Sequence, residues 1–232
     1  MFESVGQIFG SVTNAFGYLM EGTLITLELV GLSLLVGFII GVILCLGQVY
    51  GPKVIRGIVH IYVWFFRGLP NLILLFLFYF AFFPMMNLDI PPFAVAFIVL
   101  GMRSAAYQSQ IFRGVIESLS EGQMLAARSL GMTKIQAIFF IIIPQTLRLA
   151  LPSWANEYPV LLTDSAVASA IGVTELLTRT GHQVAATGEA MILYLSCAVI
   201  FIIMNYLGMF IIQRIEKHIR IPGFGNNDSE QI

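Results

Sequence analysis

Apolar residues in this chain fall into long runs divided by short polar interludes, and the runs exceed one face of a soluble helix. The first, residues 24–46, holds 23 residues and a single acid, enough to cross a hydrocarbon core about 30 Å thick. Within it Gly37 and Gly41 form a G-x-x-x-G step that admits a second helix at close range. The second run, 58–83, is interrupted by Arg67-Gly68-Leu69-Pro70. Pro70 removes a backbone donor, so a kink or break is expected there, with Arg67 reaching back to the headgroups. The aromatic residues at 76–83 read as packing and interface anchors. The third run, 93–112, turns polar in its second half, GMRSAAYQSQIF, where Arg103, Tyr107 and Gln110 share one helical face with Ser104 and Gln108 beside it. A charge at that depth costs about 2.5–3.5 kcal/mol even on a lenient scale, so this face is expected to line a polar pathway.

A polar, helix-prone island follows, EGQMLAARSLGMTKIQAIFFIIIP, residues 121–144. Met124 to Leu130 favour a helix, Gly131 ends it in the left-handed conformation, and Thr133 caps a new helix at Lys134. The fourth run, 147–162, carries Asn156, Glu157, Tyr158 and Pro159, with Asp164 just beyond. Glu157 and Asp164 stand seven residues apart and share a side if the helix survives Pro159. Thr174-Glu175 can open a short helix, and the fifth run is 190–212. The pattern predicts an all-α integral membrane protein of five transmembrane helices. It divides into an N-terminal amphipathic segment (1–22), a transmembrane domain (23–215) whose polar loop is 118–144, and a polar tail (216–232).

Composition agrees: of 232 residues, 58% are hydrophobic and only 11% charged, outside the range of soluble domains. The net charge of −1 and the lack of a basic patch argue against nucleic acid. Cys45 and Cys197 lie in apolar runs and read as small buried hydrophobes. The first 18 residues lack a basic start and an apolar core, so the first span is expected to act as its own insertion signal. Basic residues cluster in the loop after the first span (Lys53, Arg56), around the island (Arg113, Arg128, Lys134) and in the tail (Arg214, Lys217, Arg220), whereas Arg179 alone marks the other side. The positive-inside rule then places the N-terminus outside and the island and C-terminus in the cytoplasm.

Candidate chemistry is sparse. No G-x-x-x-x-G-K-[ST] phosphate loop occurs, and His60, His182 and His218 have no metal-ligand spacing. No catalytic residue, metal or cofactor is expected, and any energy would come from a partner subunit.

The island resembles the E-A-A-x3-G-x9-I-x-L-P loop through which permease subunits of ATP-binding-cassette importers dock on their ATPase. Ala126, Ala127, Gly131, Ile141 and Pro144 match, while Leu125 and Ile143 replace Glu and Leu. The following stretch resembles the polar amino-acid branch: Pro144, Gln145, Arg148, Pro152, Asn156, Glu157, Asp164 and Ser165 match, then Ile171, Gly172, Val173, Glu175 and Leu176. Ser104, Ala106, Tyr107, Arg113 and Gly114 match S-x-A-Y-x-x-E-x-x-R-G, and Arg67-Gly68-Leu69-Pro70 resembles R-G-T-P. Three positions depart: Thr163 for Lys, Gln110 for Glu, and Arg103 for an uncharged residue.

The resemblance implies a type I importer permease fold with a cytoplasmic coupling helix between spans three and four. It implies an ATPase subunit in two copies, a second permease subunit, an extracytoplasmic binding protein and an amino-acid substrate in the bacterial cytoplasmic membrane; importers of this branch occur with like and with unlike permease pairs, and an identical second subunit is expected here. Glu121, Leu125, Ala126, Ala127 and Gly131 would couple to the ATPase. Arg103, Ser104, Tyr107, Gln108, Glu157 and Asp164 would contact substrate. Lacking the Lys beside it, Asp164 reads as free; with Arg103 and Glu157 the net charge is −1, which favours a basic amino acid. Alternatively Arg103 pairs with Glu157 or Asp164 as a structural bridge. A self-sufficient carrier driven by a proton or sodium gradient is the competing reading; it would show inverted repeats, which five unequal spans do not suggest.

Overall fold

The computed structural model describes residues 2–119 and 121–219, with side chains from residue 16 onward except that of Glu121. Helix α1 runs Phe2–Tyr50 without interruption, so the segment expected to lie apart, 1–22, and the first span are one helix. α2 spans Lys53–Gly68 and α3 Asn71–Met85, bent by 110° at the break between them. α4 is Pro92–Ser118, α5 Glu121–Ser129, α6 Lys134–Ala155, α7 Glu157–Ile171 and α8 Leu176–Thr187. α9, Ala190–Ile219, closes the described chain, leaving most of the expected tail, 216–232, outside it.

Among the described residues three helices are long and apolar enough to cross a membrane: residues Phe16–Tyr50 of α1, α6 and α9. The bent pairs α2–α3 and α7–α8, the latter at 52°, bring the number to as many as five. The division differs from the expected one. The apolar stretch thought to begin at 147 starts at Lys134 and is split at Asn156, while α4, expected as the third span, is too polar to pass alone. What carries α4 is its neighbour.

α1 and α4 run parallel along most of their length. Ser33 lies against Phe97, Gly37 against Ser104, Gly41 against Ala105 and Gln108, and Gln48 against Gln110. The G-x-x-x-G step is the contact surface: a methyl on Gly37 would stand 2.9 Å from the Ser104 hydroxyl and 2.8 Å from Gln108 Nε2. Two glycines thus let the polar face of α4 press on a helix backbone.

The breaks follow proline chemistry. Leu69, preceding Pro70, is extended at φ −103° and ψ 141°, as the proline ring requires. Pro159 cannot donate to the Ala155 carbonyl, and the helix divides there, at Asn156. Because Pro159 then falls in the first turn of α7, where no intrahelical donor is needed, the helix continues through Asp164. Two π-helical segments, Leu77–Phe82 in α3 and Ile138–Ile142 in α6, each lie two residues before a proline, Pro84 and Pro144. A widened turn relieves the clash of each ring with the preceding carbonyls.

The larger apolar core joins α1, α2, α3, α4, α7, α8 and α9 around Leu29, Leu74, Leu100 and Leu176. A smaller one, Cys45, Phe112, Ile116, Ile142 and Ala150, ties α6 to the last turns of α1 and α4. Both cysteines are free and buried. At the opposite end Arg179 of α8 pairs with Glu21 at 2.5 Å and lies over the Tyr18 ring at 4.4 Å, while Glu175 caps α8 through the amides of Leu177 and Thr178.

The helix contact makes a sharp prediction. Gly37→Val is expected to lower thermal stability of the purified protein by about 1–3 kcal/mol, the usual cost of overpacking. Gly31→Val, where nothing lies within 4 Å, is expected to leave the unfolding temperature unchanged.

Candidate functional site

The polar half of α4 meets the first turns of α7, and six side chains singled out from sequence converge there. Arg103 donates to the Asp164 carboxylate in an ion pair whose side chains are 15% and 18% exposed. One residue on, the Ser104 hydroxyl donates to Glu157 Oε2 at 3.2 Å. Both carboxylates therefore face α4, as their two-turn spacing required. Gln108 satisfies its whole amide: Nε2 donates to Ser104 Oγ at 2.8 Å and to the Leu34 carbonyl at 3.2 Å, and Oε1 accepts from Trp154 Nε1 at 2.7 Å. A continuous hydrogen-bonded path thus runs from Trp154 near the end of α6 through Gln108 and Ser104 to Glu157.

Tyr107 is held between two guanidinium groups, Arg67 and Arg103, each 4.9 Å from its ring centroid. Arg67, exposed in the single chain, is placed by the break at Pro70 with its guanidinium over this ring. Asp164 is not free: Arg103 reaches across from α4 to pair with it. Of the alternatives open in the sequence, the bridge to Asp164 is the one formed, and Glu157 is bound to Ser104 instead.

Sequence reading missed Arg67, Asn71 and Trp154 as members of this cluster. Asn71, buried at the start of α3, reaches the Asp164 carbonyl with Nδ2 at 3.4 Å, while its Oδ1 and Arg103 Nε are buried without a partner. Only R-G-x-P could have flagged Arg67. Asn71 and Trp154 carry no signal beyond being polar-tipped residues in apolar runs. Gln110 leaves the expected set: two turns further along α4 than Arg103, it donates to Gln48 Oε1 of α1 at 2.8 Å.

The island forms the expected helix, glycine and second helix. Gly131 has φ +83°, and the Gly131 and Met132 amides return to the carbonyls of Arg128 and Ala127. Thr133 and Gln136 make a reciprocal capping box at the start of α6. On α5, Leu125 is 70% exposed and Ala126 is exposed, but Ala127 is turned into the chain at 2%. Ala127 thus packs internally, and the outward surface is formed by Leu125, Ala126 and, past the helix, Leu130. The Glu121 side chain lies outside the described residues. Among the described residues no group of His, Cys, Asp and Glu is placed to hold a metal.

A charged, hydrogen-bonded cluster set among apolar helices, with a capped helix pair outside them, fits a membrane permease. The chain belongs to the family of binding-protein-dependent transport system inner membrane components, which matches residues 33–221, and within it to the permeases of amino-acid ATP-binding-cassette importers. It is 32% identical over 197 residues to the probable amino-acid permease protein YxeN of Bacillus subtilis, covering 84% of this chain and 88% of that one. It is 30% identical to the histidine/lysine/arginine/ornithine transport system permease protein HisM of Escherichia coli over 94% and 95% of the two chains. Against the glutamine transport system permease protein GlnP of the same organism, identity is 29% over 92% and 98%. A crystal structure of an amino acid ABC transporter with histidines superposes with a TM-score of 0.82 at 30% identity, covering 90% of this chain and 98% of that one. Permeases of this family sit in the bacterial inner membrane and work with ATPase subunits and substrate-binding proteins. ATP is hydrolysed in the separate subunit and the permease itself is not an enzyme, which sets aside the gradient-driven carrier.

The ion pair predicts an asymmetric mutational response. Arg103→Gln alone strands the Asp164 carboxylate and is expected to destabilise the protein by about 3 kcal/mol, whereas Arg103→Gln/Asp164→Asn recovers most of that loss. Thermal unfolding of both variants beside Asp164→Asn closes the double-mutant cycle.

Proposed function

We propose that this chain imports a polar amino acid, with preference for basic side chains, as one of two identical permease subunits joined to two ATPase subunits. The observation that carries the reading is the convergence of Arg67, Arg103, Glu157 and Asp164 on Tyr107 and Ser104. Arg67 changes the charge arithmetic made from the sequence: two arginines and two acids give 2 − 2 = 0, as suits a zwitterion. Arg67, exposed in the single chain, takes the cargo carboxylate, and Glu157 takes its ammonium. A basic side chain then replaces Arg103 as the partner of Asp164. Neutral polar amino acids leave that pair closed, whereas a basic one exchanges it for its own while Arg103 stays on the Tyr107 ring.

The coupling surface is Leu125, Ala126 and Leu130, which the ATPase covers, with Gly131 setting the angle between α5 and α6 and Glu121 contributing at the first turn. Closure of the ATPase pair pulls α6. That helix ends at Trp154, bonded to Gln108 and through Ser104 to Glu157, so the pull reaches the cargo site directly and drives alternating access. Basic residues gathered at the α5 end support a cytoplasmic placement for it and for the C-terminus, with the N-terminus and the binding protein on the far side.

Proteoliposomes holding the permease, its ATPase and its binding protein test this reading. Uptake is expected to require ATP. Asp164→Asn is expected to lower uptake of arginine, lysine and histidine relative to glutamine on the order of 30-fold, about 2 kcal/mol for one buried charge contact. An unchanged ratio in an assembled, ATP-hydrolysing complex overturns the cargo assignment, and uptake without ATP overturns the coupling.

A further inference from the structure

The basic residues at the start of α2 take no part in the cargo cluster or in the coupling surface. Lys53, Arg56 and His60 follow one another at i, i+3 and i+7, which places them on one face of the helix. That face lines a groove of ≈ 760 Å³ with Gln48 of α1 and with Arg113 and Glu117 of α4 opposite. Glu117 is engaged by Arg113, Nε to Oε1 at 3.3 Å. Among the described residues neither Lys53 nor Arg56 has a carboxylate within salt-bridge distance. Three cations against one acid leave the groove at 3 − 1 = +2 with His60 neutral.

Position decides what such a groove takes. It lies where α1 ends at Tyr50 and α4 nears its end at Ser118, beyond the apolar run of residues 24–46. Ile61 lines the groove and Trp64, one turn after His60, continues from it, and both are exposed. Cationic walls at the boundary and an apolar track leading away from them match the two halves of one molecule. A soluble anion would use only the first half.

We propose that this groove binds the headgroup of an anionic phospholipid, with the phosphate between Arg113 and the Lys53, Arg56 and His60 face, and acyl chains laid along Ile61 and Trp64. The lipid fills the space between α2 and the α1–α4 pair and fixes α2 against it. Because α2 ends at the Arg67 break, the lipid steadies the helix that carries Arg67 to the cargo cluster. The site does not depend on the cargo assignment, and its failure would leave that assignment standing.

The test uses the permease–ATPase complex in nanodiscs of phosphatidylcholine with increasing phosphatidylglycerol, and native mass spectrometry of the lipids retained on release. The wild-type complex is expected to retain phosphatidylglycerol over phosphatidylcholine and to unfold at higher temperature as its fraction rises. Lys53→Gln/Arg56→Gln is expected to lose about fivefold of that preference per charge removed, on the order of 25-fold together. The charge-conserving pair Lys53→Arg/Arg56→Lys is expected to keep it. Undiminished retention by the neutral pair, or loss by the charge-conserving pair, overturns the proposal. Inorganic phosphate is expected to leave both readouts unchanged; if it displaces the lipid or matches its stabilisation, the groove is a soluble-anion site and the lipid assignment fails.

Discussion

A charge in hydrocarbon must be paired, and the pairing of Arg103 with Asp164 across α4 and α7 is the constraint on which the rest of this structure depends. Each group alone costs about 2.5–3.5 kcal/mol at the middle of a membrane. Together, and enclosed by protein, they become an attraction between two helices with little other reason to associate, since lipid satisfies apolar surfaces as well as protein does. The pair sets the register of α7 on α4, and that register puts Glu157 beside Ser104 two turns away. The same contact explains why α4, too polar to cross alone, is stable where it lies.

Close approach on the other side of α4 completes the arrangement. Gly37 and Gly41 remove the side chains that would hold α1 away, so Gln108 can reach the Leu34 carbonyl while still serving Ser104 and Trp154. A fully satisfied amide between three helices transmits displacement better than apolar contact, because each bond fixes distance and direction. The path from the capped start of α6 to the acid at the head of α7 is therefore mechanical as well as electrostatic. Prolines supply the compliance: the divided α6–α7 segment, the 110° bend at Pro70 and the two π segments all lie beside a ring that cannot donate.

Much of this was legible in the sequence, for definable reasons. Hydrophobic run length is a bulk property, so the helical membrane class and most spans followed from it. Local rules of one or two turns held: Gly131 ended α5, Thr133 capped α6, and two acids seven residues apart shared a face. Long-range pairing was less legible. Nothing local reveals the 110° bend that sets Arg67 over the Tyr107 ring. Asp164 looks free when its partner is sought at 163, and the bridge from Arg103, 61 residues away, stands in the sequence only as one of two alternatives. Ala127 was counted as outward because the motif marks it, although the helix face it occupies is settled only by what α5 packs against.

The central claim is that the α4–α7 cluster receives the cargo, and equilibrium binding of a radiolabelled basic amino acid to the purified permease–ATPase complex tests it most directly. The account predicts saturable binding by the wild-type complex that Glu157→Gln abolishes while leaving assembly and basal ATP hydrolysis intact. Equal binding by the Glu157→Gln complex would contradict it.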